Sequence, residues 1–185
     1  MKFPSLRAED VDARVSQVYL DRKTPGIMAL LYKDARCDMR MLDDVVGPEN
    51  WQREHYECKG NLFCRVGINV SYLHPEQEPR WVWKSDCGAE SNTEAQKGEA
   101  SDSFKRACFN WGIGRELYTA PPIWITQYDK KGNPNFEVEP DKRGKNQPKI
   151  RLEVRKMETV NGQITYLEIW NLKLKRAVFV WGDSR

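Results

Sequence analysis

The hydrophobic pattern at the start of the chain predicts a buried strand between two helices. A first helix is expected from about Ser5 to Gln17, with the serine as its start signal. The continuous apolar run within Gly26–Tyr32 predicts a strand covered on both faces. Asp34 is a suitable N-cap for a second helix, which runs through about Val46 and ends at Gly47.

Alternation of polar and apolar residues predicts an antiparallel sheet next. Two strands, Trp51–Cys58 and Leu62–Leu73, flank the turn 59–61 and form a hairpin. Alternate residues of the second strand are apolar on one face only, which indicates a sheet with one covered face. A third strand, Arg80–Lys84, follows a proline-containing turn.

The segment Thr93–Trp111 has the periodicity of one amphipathic helix. Small or apolar residues recur at spacings of three and four and define its buried stripe: Ala100, Phe104, Ala107, Cys108 and Trp111. A separate stripe carries Lys97 and Lys105, with Arg106 beside it. Such a helix can dock by one face and hold a phosphate backbone with the other, although cations on a helix face are most often simply solvated.

Past Pro121 the pattern changes to short strands. A strand over Ile123–Tyr128 is followed by a loop over 129–148 rich in Gly, Pro, Asn and Lys. Three further strands are expected, the first two around the hairpin signal Asn161-Gly162: 149–159, 163–174 and 177–181. No internal repeat is evident.

Together these elements predict an α+β fold, with an antiparallel β-β-β-α core, N-terminal helices and a C-terminal β-hairpin extension. We expect residues 1–120 to form the core. Residues 121–185 then form a β-rich extension that packs on the core or on a neighbouring subunit.

Composition indicates a globular chain. The 185 residues are 39% hydrophobic and 31% charged, and no apolar run approaches the ~20 residues of a membrane span. The polar N-terminus does not resemble a signal peptide, and the five cysteines contain no CxxC pair. A cytoplasmic protein with reduced thiols and no membrane partner is therefore expected.

The distribution of charge is more informative than the net charge of +3. Residues 141–156 hold seven Lys and Arg against two acids, which suggests a surface for a polyanion, although a disordered basic loop fits equally well. One or two of the seven tryptophans could serve as base-stacking platforms.

No catalytic constellation is visible in the sequence. Phosphate-loop and HExxH motifs are absent, and His55 and Cys58 would point to opposite faces of a strand, which disfavours a zinc site. We expect a protein that is not an enzyme and that needs neither a cofactor nor a metal, and keep a nuclease as a remote alternative.

Two segments resemble a known family. The helix with its following Gly and Trp (DARCDMRMLDDVVGPENW) and the long helix (KGEASDSFKRACFNWGIGRELY) are similar to the Rad52 superfamily of single-strand DNA annealing proteins, in particular the shorter members encoded by bacteriophages. The resemblance covers roughly residues 20–120. It implies a homo-oligomeric ring or helical filament with a cationic groove that holds single-stranded DNA.

The resemblance also implies the site. The groove cations of the family fall on Lys105 and Arg106, and a further arginine of the preceding helix matches Arg36 or Arg40. The second-line candidates for DNA binding are Lys97, Lys84 and Arg115.

The expected function is ATP-independent binding and annealing of single-stranded DNA in homologous recombination or DNA repair. Further partners implied by a phage origin are a phage exonuclease or a host single-strand-binding protein, in the bacterial cytoplasm. The alternative is a DNA-end-protecting or general nucleic-acid-binding protein without annealing activity.

Overall fold

The computed structural model describes residues 1–74, 76–89 and 95–183. This part of the chain has an α+β fold with antiparallel sheets, as predicted, and contains two α-helices, α1 (Ala35–Val46) and α2 (Ala95–Trp111). The strands are β1 (Asp12–Tyr19), β2 (Gly26–Tyr32), β3 (Trp51–Cys58), β4 (Asn61–Asn69), β5 (Trp81–Cys87), β6 (Ile123–Thr126), β7 (Glu137–Pro140), β8 (Asn146–Lys149), β9 (Leu152–Val160), β10 (Gln163–Asn171) and β11 (Arg176–Gly182).

The chain divides into two compact units. Unit 1 comprises Met1–Ser5 and Lys33–Arg115, and unit 2 comprises Leu6–Tyr32 and Glu116–Arg185. This grouping differs from the expected boundary at residue 120, since β1 and β2 belong with the C-terminal strands. The division into a functional core of 1–120 and an extension of 121–185 therefore stays a prediction.

Unit 1 is built from one helix, three antiparallel strands and a second helix. Strands β3, β4 and β5 pair in sequence order, and α2 packs on β4 and β5. The centre of the apolar face of β4 and of the expected α2 stripe is fully buried: Cys64, Val66, Ile68, Phe104, Ala107 and Cys108. Leu62 of β4 and the stripe ends Ala100 and Trp111 are half-buried. Burial of this stripe fixes which face of α2 points outward.

Helix α1 begins and ends where its sequence predicts. The Asp34 carboxylate accepts a hydrogen bond from the Cys37 amide at 2.8 Å, which satisfies one free donor of the first turn. Gly47 ends the helix with a φ of 87°, a conformation that glycine adopts without strain. The N-terminal boundary expected for α2 at Thr93 lies outside the described residues.

Unit 2 consists mainly of strands. The sheets are β1-β2-β6, β11-β10-β9 and the hairpin β7-β8, all antiparallel. Within the unit, β1 lies against β9 and β6 against β11. Inward-facing residues such as Ile27, Ile125 and Leu167 are fully buried and form its core.

The predicted helix over Ser5–Gln17 is wrong. Ala8–Asp10 form a single 3-10 turn, and β1 pairs along its length with β2. Val11 and Ala13 are buried while the intervening Asp12 is exposed, which is the period of a strand. A short isolated helix is marginal in water, whereas pairing with an apolar strand satisfies the backbone and buries surface.

The prediction of a loop over 129–148 is also wrong. It contains the hairpin β7-β8, in which Glu137 pairs with Lys149 across the strands. The hairpin is held by backbone pairing and turn geometry, so no hydrophobic alternation indicated it. In the described part of the chain no helix is long and apolar enough to cross a membrane.

Candidate nucleic-acid interface

Helix α2 is fixed against the sheet by its buried stripe and by one hydrogen bond. The Trp111 indole donates to the Val66 carbonyl at 3.0 Å, so the end of the helix is held to the middle of β4. Phe104 stacks with Trp51 of β3 at a ring-centroid distance of 6.2 Å. These contacts orient the remaining faces of the helix, which carry the predicted cations.

Lys105 and Arg106 leave α2 in different directions. The Lys105 side chain is only 24% exposed, and its Nζ lies 4.0 Å from the Asp102 carboxylate one turn earlier. Arg106 is exposed and donates from Nε to the Asp86 carboxylate of β5 at 3.2 Å. The pair is thus spread between the α1 side and the β5 side of α2.

A buried charge cluster joins α1 to α2. The Lys33 ammonium donates to the Asp38 carboxylate, and both side chains are fully buried. The same ammonium lies 4.3 Å from the centre of the Phe109 ring of α2. The hydrophobic pattern could not predict this buried pair, because a lysine between a strand and a helix is normally expected to be exposed.

Titration within this cluster is shifted by burial. Desolvation raises the pKa of Asp38 to about 6, although the charges of Lys33 and Lys105 act in the opposite direction. Burial and the neighbouring Asp38 charge raise the pKa of the Cys108 thiol well above its usual value. Lys105 is therefore electrostatically coupled to α1, the helix that carries the other predicted arginines.

Arg36 and Arg40 are both exposed on α1, four residues apart and so on the same side of the helix. Arg40 contacts the Cys37 sulfur at 3.9 Å. Since α1 packs on α2, the structure brings the α1 arginines and Lys105 onto two adjoining helices of one compact unit.

Lys84 and Arg115 have structural partners at the C-terminal end of α2. The Lys84 ammonium donates to the Asn110 carbonyl at 2.8 Å and lies 4.6 Å from the Trp111 ring centre. The Arg115 guanidinium donates to the Phe109 carbonyl at 2.9 Å. Both cations donate hydrogen bonds to backbone carbonyls that have no partner within the helix at its C-terminal end. Their contact with DNA stays a prediction. The side chain of Lys97 lies outside the described residues.

The sheet face opposite α2 carries aromatic groups that the sequence pattern alone did not single out. The Trp83 ring lies directly over Gly67, where an added Cβ would stand 2.8 Å from it, and the residue is 37% exposed. The Arg65 guanidinium lies 4.8 Å from the centre of this ring and pairs with Glu54 at 2.6 Å. Alternation in β5 was the signal that could have placed Trp83 on this face, and a base-stacking role for a tryptophan stays a prediction.

His55 and Arg53 of β3 contact α2. The His55 Nε2 lies 3.1 Å from the Ala100 carbonyl, and the Arg53 guanidinium 4.7 Å from the Phe104 ring centre. The imidazole is thereby engaged with the helix backbone.

The sequence profile of the Rad52/22 family of double-strand break repair proteins matches residues 6–136. The chain belongs to this family. The match includes α1, the sheet β3-β4-β5 and α2, and therefore all the predicted DNA-binding residues of this Rad52/22 member.

Two curated relatives are similar to the same chain. It is 31% identical over 109 residues to the single-stranded DNA-binding protein DdrA of Deinococcus radiodurans, covering 58% of this chain and 49% of the relative. The DdrA of Deinococcus deserti is likewise 31% identical over 109 residues, covering 58% and 50%. This Rad52/22 chain spans about half the length of the curated relatives it matches. No solved structure matches it.

Proposed function

We propose that this Rad52/22 protein binds single-stranded DNA along the cationic side of α1 and α2 and anneals complementary strands in recombination or repair. The observation that carries the proposal is the docking of α2 by its apolar stripe, which leaves Lys105 and Arg106 off the buried face. Lys105 lies near Asp102 and Arg106 near Asp86 of β5, in the same compact unit as α1. Family membership and the single-stranded DNA-binding relatives support it.

The chemistry needs no catalytic group. Annealing requires that a strand is held by its phosphates while its bases stay available for pairing, so that base pairing reads the sequence. Lys and Arg provide the phosphate contacts and release counterions. ATP is not required for either step, and the strands β3, β4 and β5 with α2 serve as the family core that positions the cations.

Assembly extends the site. One unit offers only a few cations, whereas repetition of the protein in a ring or helical filament turns them into a continuous track with much higher avidity. Self-association, a phage origin with an exonuclease or host single-strand-binding partner, and a cytoplasmic location are parts of the proposal.

Binding without annealing is the second candidate. It is favoured by the name of the relatives, which describes single-stranded DNA binding alone. A DNA-end-protecting role would use the same cations, but it would not bring two strands together.

An annealing assay separates the two candidates. Complementary fluorophore- and quencher-labelled oligonucleotides are mixed with the protein without nucleotide, and quenching is followed against the protein-free rate. Annealing predicts an acceleration that saturates with protein. Tight binding of one strand with no acceleration would instead support end protection.

A further inference from the structure

Two turns of unit 2 share one sequence pattern, Asp-Lys-(Lys/Arg)-Gly-(Asn/Lys). The first is 129–133 (DKKGN) and the second is 141–145 (DKRGK). The chain therefore contains a short repeated motif, although no internal repeat was evident in the sequence analysis. Both belong to the segment where a structureless loop was expected. We call them the twin turns.

The first twin turn is organised by the carboxylate of Asp129. Its Oδ1 accepts the amide N–H of Lys131 at 2.9 Å and of Asn133 at 2.8 Å. The Asp129 amide in turn donates to the Asn133 carbonyl at 2.9 Å, and Gly132 has a φ of 82°. The backbone of the turn is therefore closed by bonds to one side chain.

The second twin turn repeats this arrangement at the tip of β7-β8. The Asp141 Oδ1 accepts the amides of Arg143 at 2.8 Å and Lys145 at 2.9 Å, and the Asp141 amide donates to the Lys145 carbonyl at 2.8 Å. Gly144 has a φ of 77°. Two segments twelve residues apart in sequence thus adopt the same turn, because in each an aspartate carboxylate accepts two backbone amides.

In both turns the aspartate carboxylate is bonded to backbone amides and the basic side chains are exposed. Bonds from the Asn133 amide groups hold the pKa of Asp129 at about 2, and its carboxylate also pairs with Arg176 at 2.9 Å. The cations of both turns are exposed and have no ion pair among the described residues: Lys130, Lys131, Lys142, Arg143 and Lys145. Carboxylates already bound to amides compete weakly for these cations.

A groove lies beside the first twin turn. It has a volume of about 470 Å³, and its lining combines Tyr128, Val138 and the buried Phe136 with the acidic Glu137 and Glu139. The Glu139 carboxylate is paired with Lys149 at 2.8 Å, and Tyr128 is the exposed ring, at 54%. A nucleic-acid strand has phosphates for the cations and planar bases for such a ring. Two amides of each turn are already bonded to its aspartate, so the exposed side chains are the groups that we expect to hold phosphates. Such contacts carry no sequence preference.

We propose that the twin turns are a second surface of this protein for the phosphodiester backbone of single-stranded DNA, additional to the α1–α2 cations. The proposal rests on the proposed function but uses other residues. The first twin turn lies within the family match, which ends at residue 136, and the second lies beyond it.

The test compares charge removal at the twin turns with a matched control. Lys142→Ala/Arg143→Ala, alone and with Lys130→Ala/Lys131→Ala, keeps the organising aspartates and glycines. The control, Arg22→Ala/Lys23→Ala, removes an adjacent exposed cation pair from the β1–β2 connection.

Binding of labelled oligo(dT) and of a duplex of equal length is measured by anisotropy across a salt titration, and thermal unfolding confirms that each variant is folded. If the alanine variant is unfolded, the variant Lys142→Gln/Arg143→Gln is measured in its place.

The double variant Lys142→Ala/Arg143→Ala removes as many charges as the control and is expected to bind oligo(dT) more weakly than the control does. The four-site variant is expected to bind at least about fivefold more weakly than the unaltered protein at low salt, with a salt slope smaller by about 0.7 for each phosphate that it no longer neutralises. The control should stay within about twofold. Equal affinity and slope for the turn variant and the control would overturn the inference. A loss of affinity confined to the duplex would also overturn the assignment to single strands.

The same titrations in a Lys105→Ala/Arg106→Ala background separate this inference from the proposed function. A further loss of affinity in that background supports two surfaces. Normal binding by the helix variant with weaker binding by the turn variant would refute the α1–α2 site and leave the twin turns standing. Absence of any DNA binding by the unaltered protein would refute both.

Discussion

The buried ammonium of Lys33 donates to the carboxylate of Asp38 in the first part of α1 and lies against the Phe109 ring of α2. This relationship couples the two helices that carry the predicted DNA-binding cations. We expect it to be sensitive to substitution, because a buried charge without its partner is strongly unfavourable.

Replacing Lys33 by Met should destabilise the protein in a pH-dependent way. Without Lys33 the pKa of Asp38 rises further, so at pH 8 folding must either bury an unpaired carboxylate or take up a proton. We expect a loss of about 3 kcal/mol or more in the free energy of unfolding, measured in urea. At pH 5 the carboxyl is mostly protonated and the loss should fall below half of that value. Arg65→Ala, which breaks the exposed pair with Glu54, is the control and should cost less than about 1 kcal/mol. Equal losses for Lys33→Met at both pH values would contradict the account.

Asp38 should also leave a signature in the pH profile of the unaltered protein. Its pKa in the folded state, about 6, lies above the value of 3.8 for an unperturbed Asp, so the folded state holds the proton more tightly. Its contribution to stability is full below pH 3.8 and is lost as the pH rises through about 6. The Asp38→Asn variant lacks this titration, and the difference in unfolding free energy between the two proteins should change across that window. A constant difference from pH 4 to pH 7 would show that Asp38 ionises normally.

The Trp83 ring requires a glycine beneath it. In Gly67→Ala the new Cβ would stand 2.8 Å from the ring, so the indole must move away from the sheet. We expect a cost of about 1–3 kcal/mol, the range for overpacking, together with a red shift of tryptophan fluorescence. In a Trp83→Ala background the same substitution should cost clearly less. If both backgrounds lose the same stability, the clash is with another group.

Much of unit 1 was predictable because its signals are local. The Asp34 cap, the Gly47 stop, the alternation along β4 and the stripe from Phe104 to Cys108 each act through neighbours in sequence. These same signals place Lys105 and Arg106 off the buried face. The motif that resembles the Rad52 superfamily lies on these elements, and the family assignment rests on the same region.

The remainder depends on partners distant in sequence. Residues 12–19 became a strand because β2 was available to pair with them, which a local start signal at Ser5 could not reveal. The Lys33–Asp38 pair exists because α2 covers it. The turn of the hairpin β7-β8 is held by hydrogen bonds from backbone amides to the Asp141 carboxylate. Hydrophobic patterning cannot detect such a turn.

The most direct test of the central claim is the affinity of Lys105→Ala/Arg106→Ala for oligo(dT), measured against salt and compared with the charge-conserving Lys105→Arg/Arg106→Lys. We predict at least about tenfold weaker binding at moderate salt and a flatter salt slope for the alanine variant, with an unchanged fold and near-normal binding by the charge-conserving variant. Unchanged affinity and slope in a folded alanine variant would remove α2 from the DNA-binding surface and contradict the account.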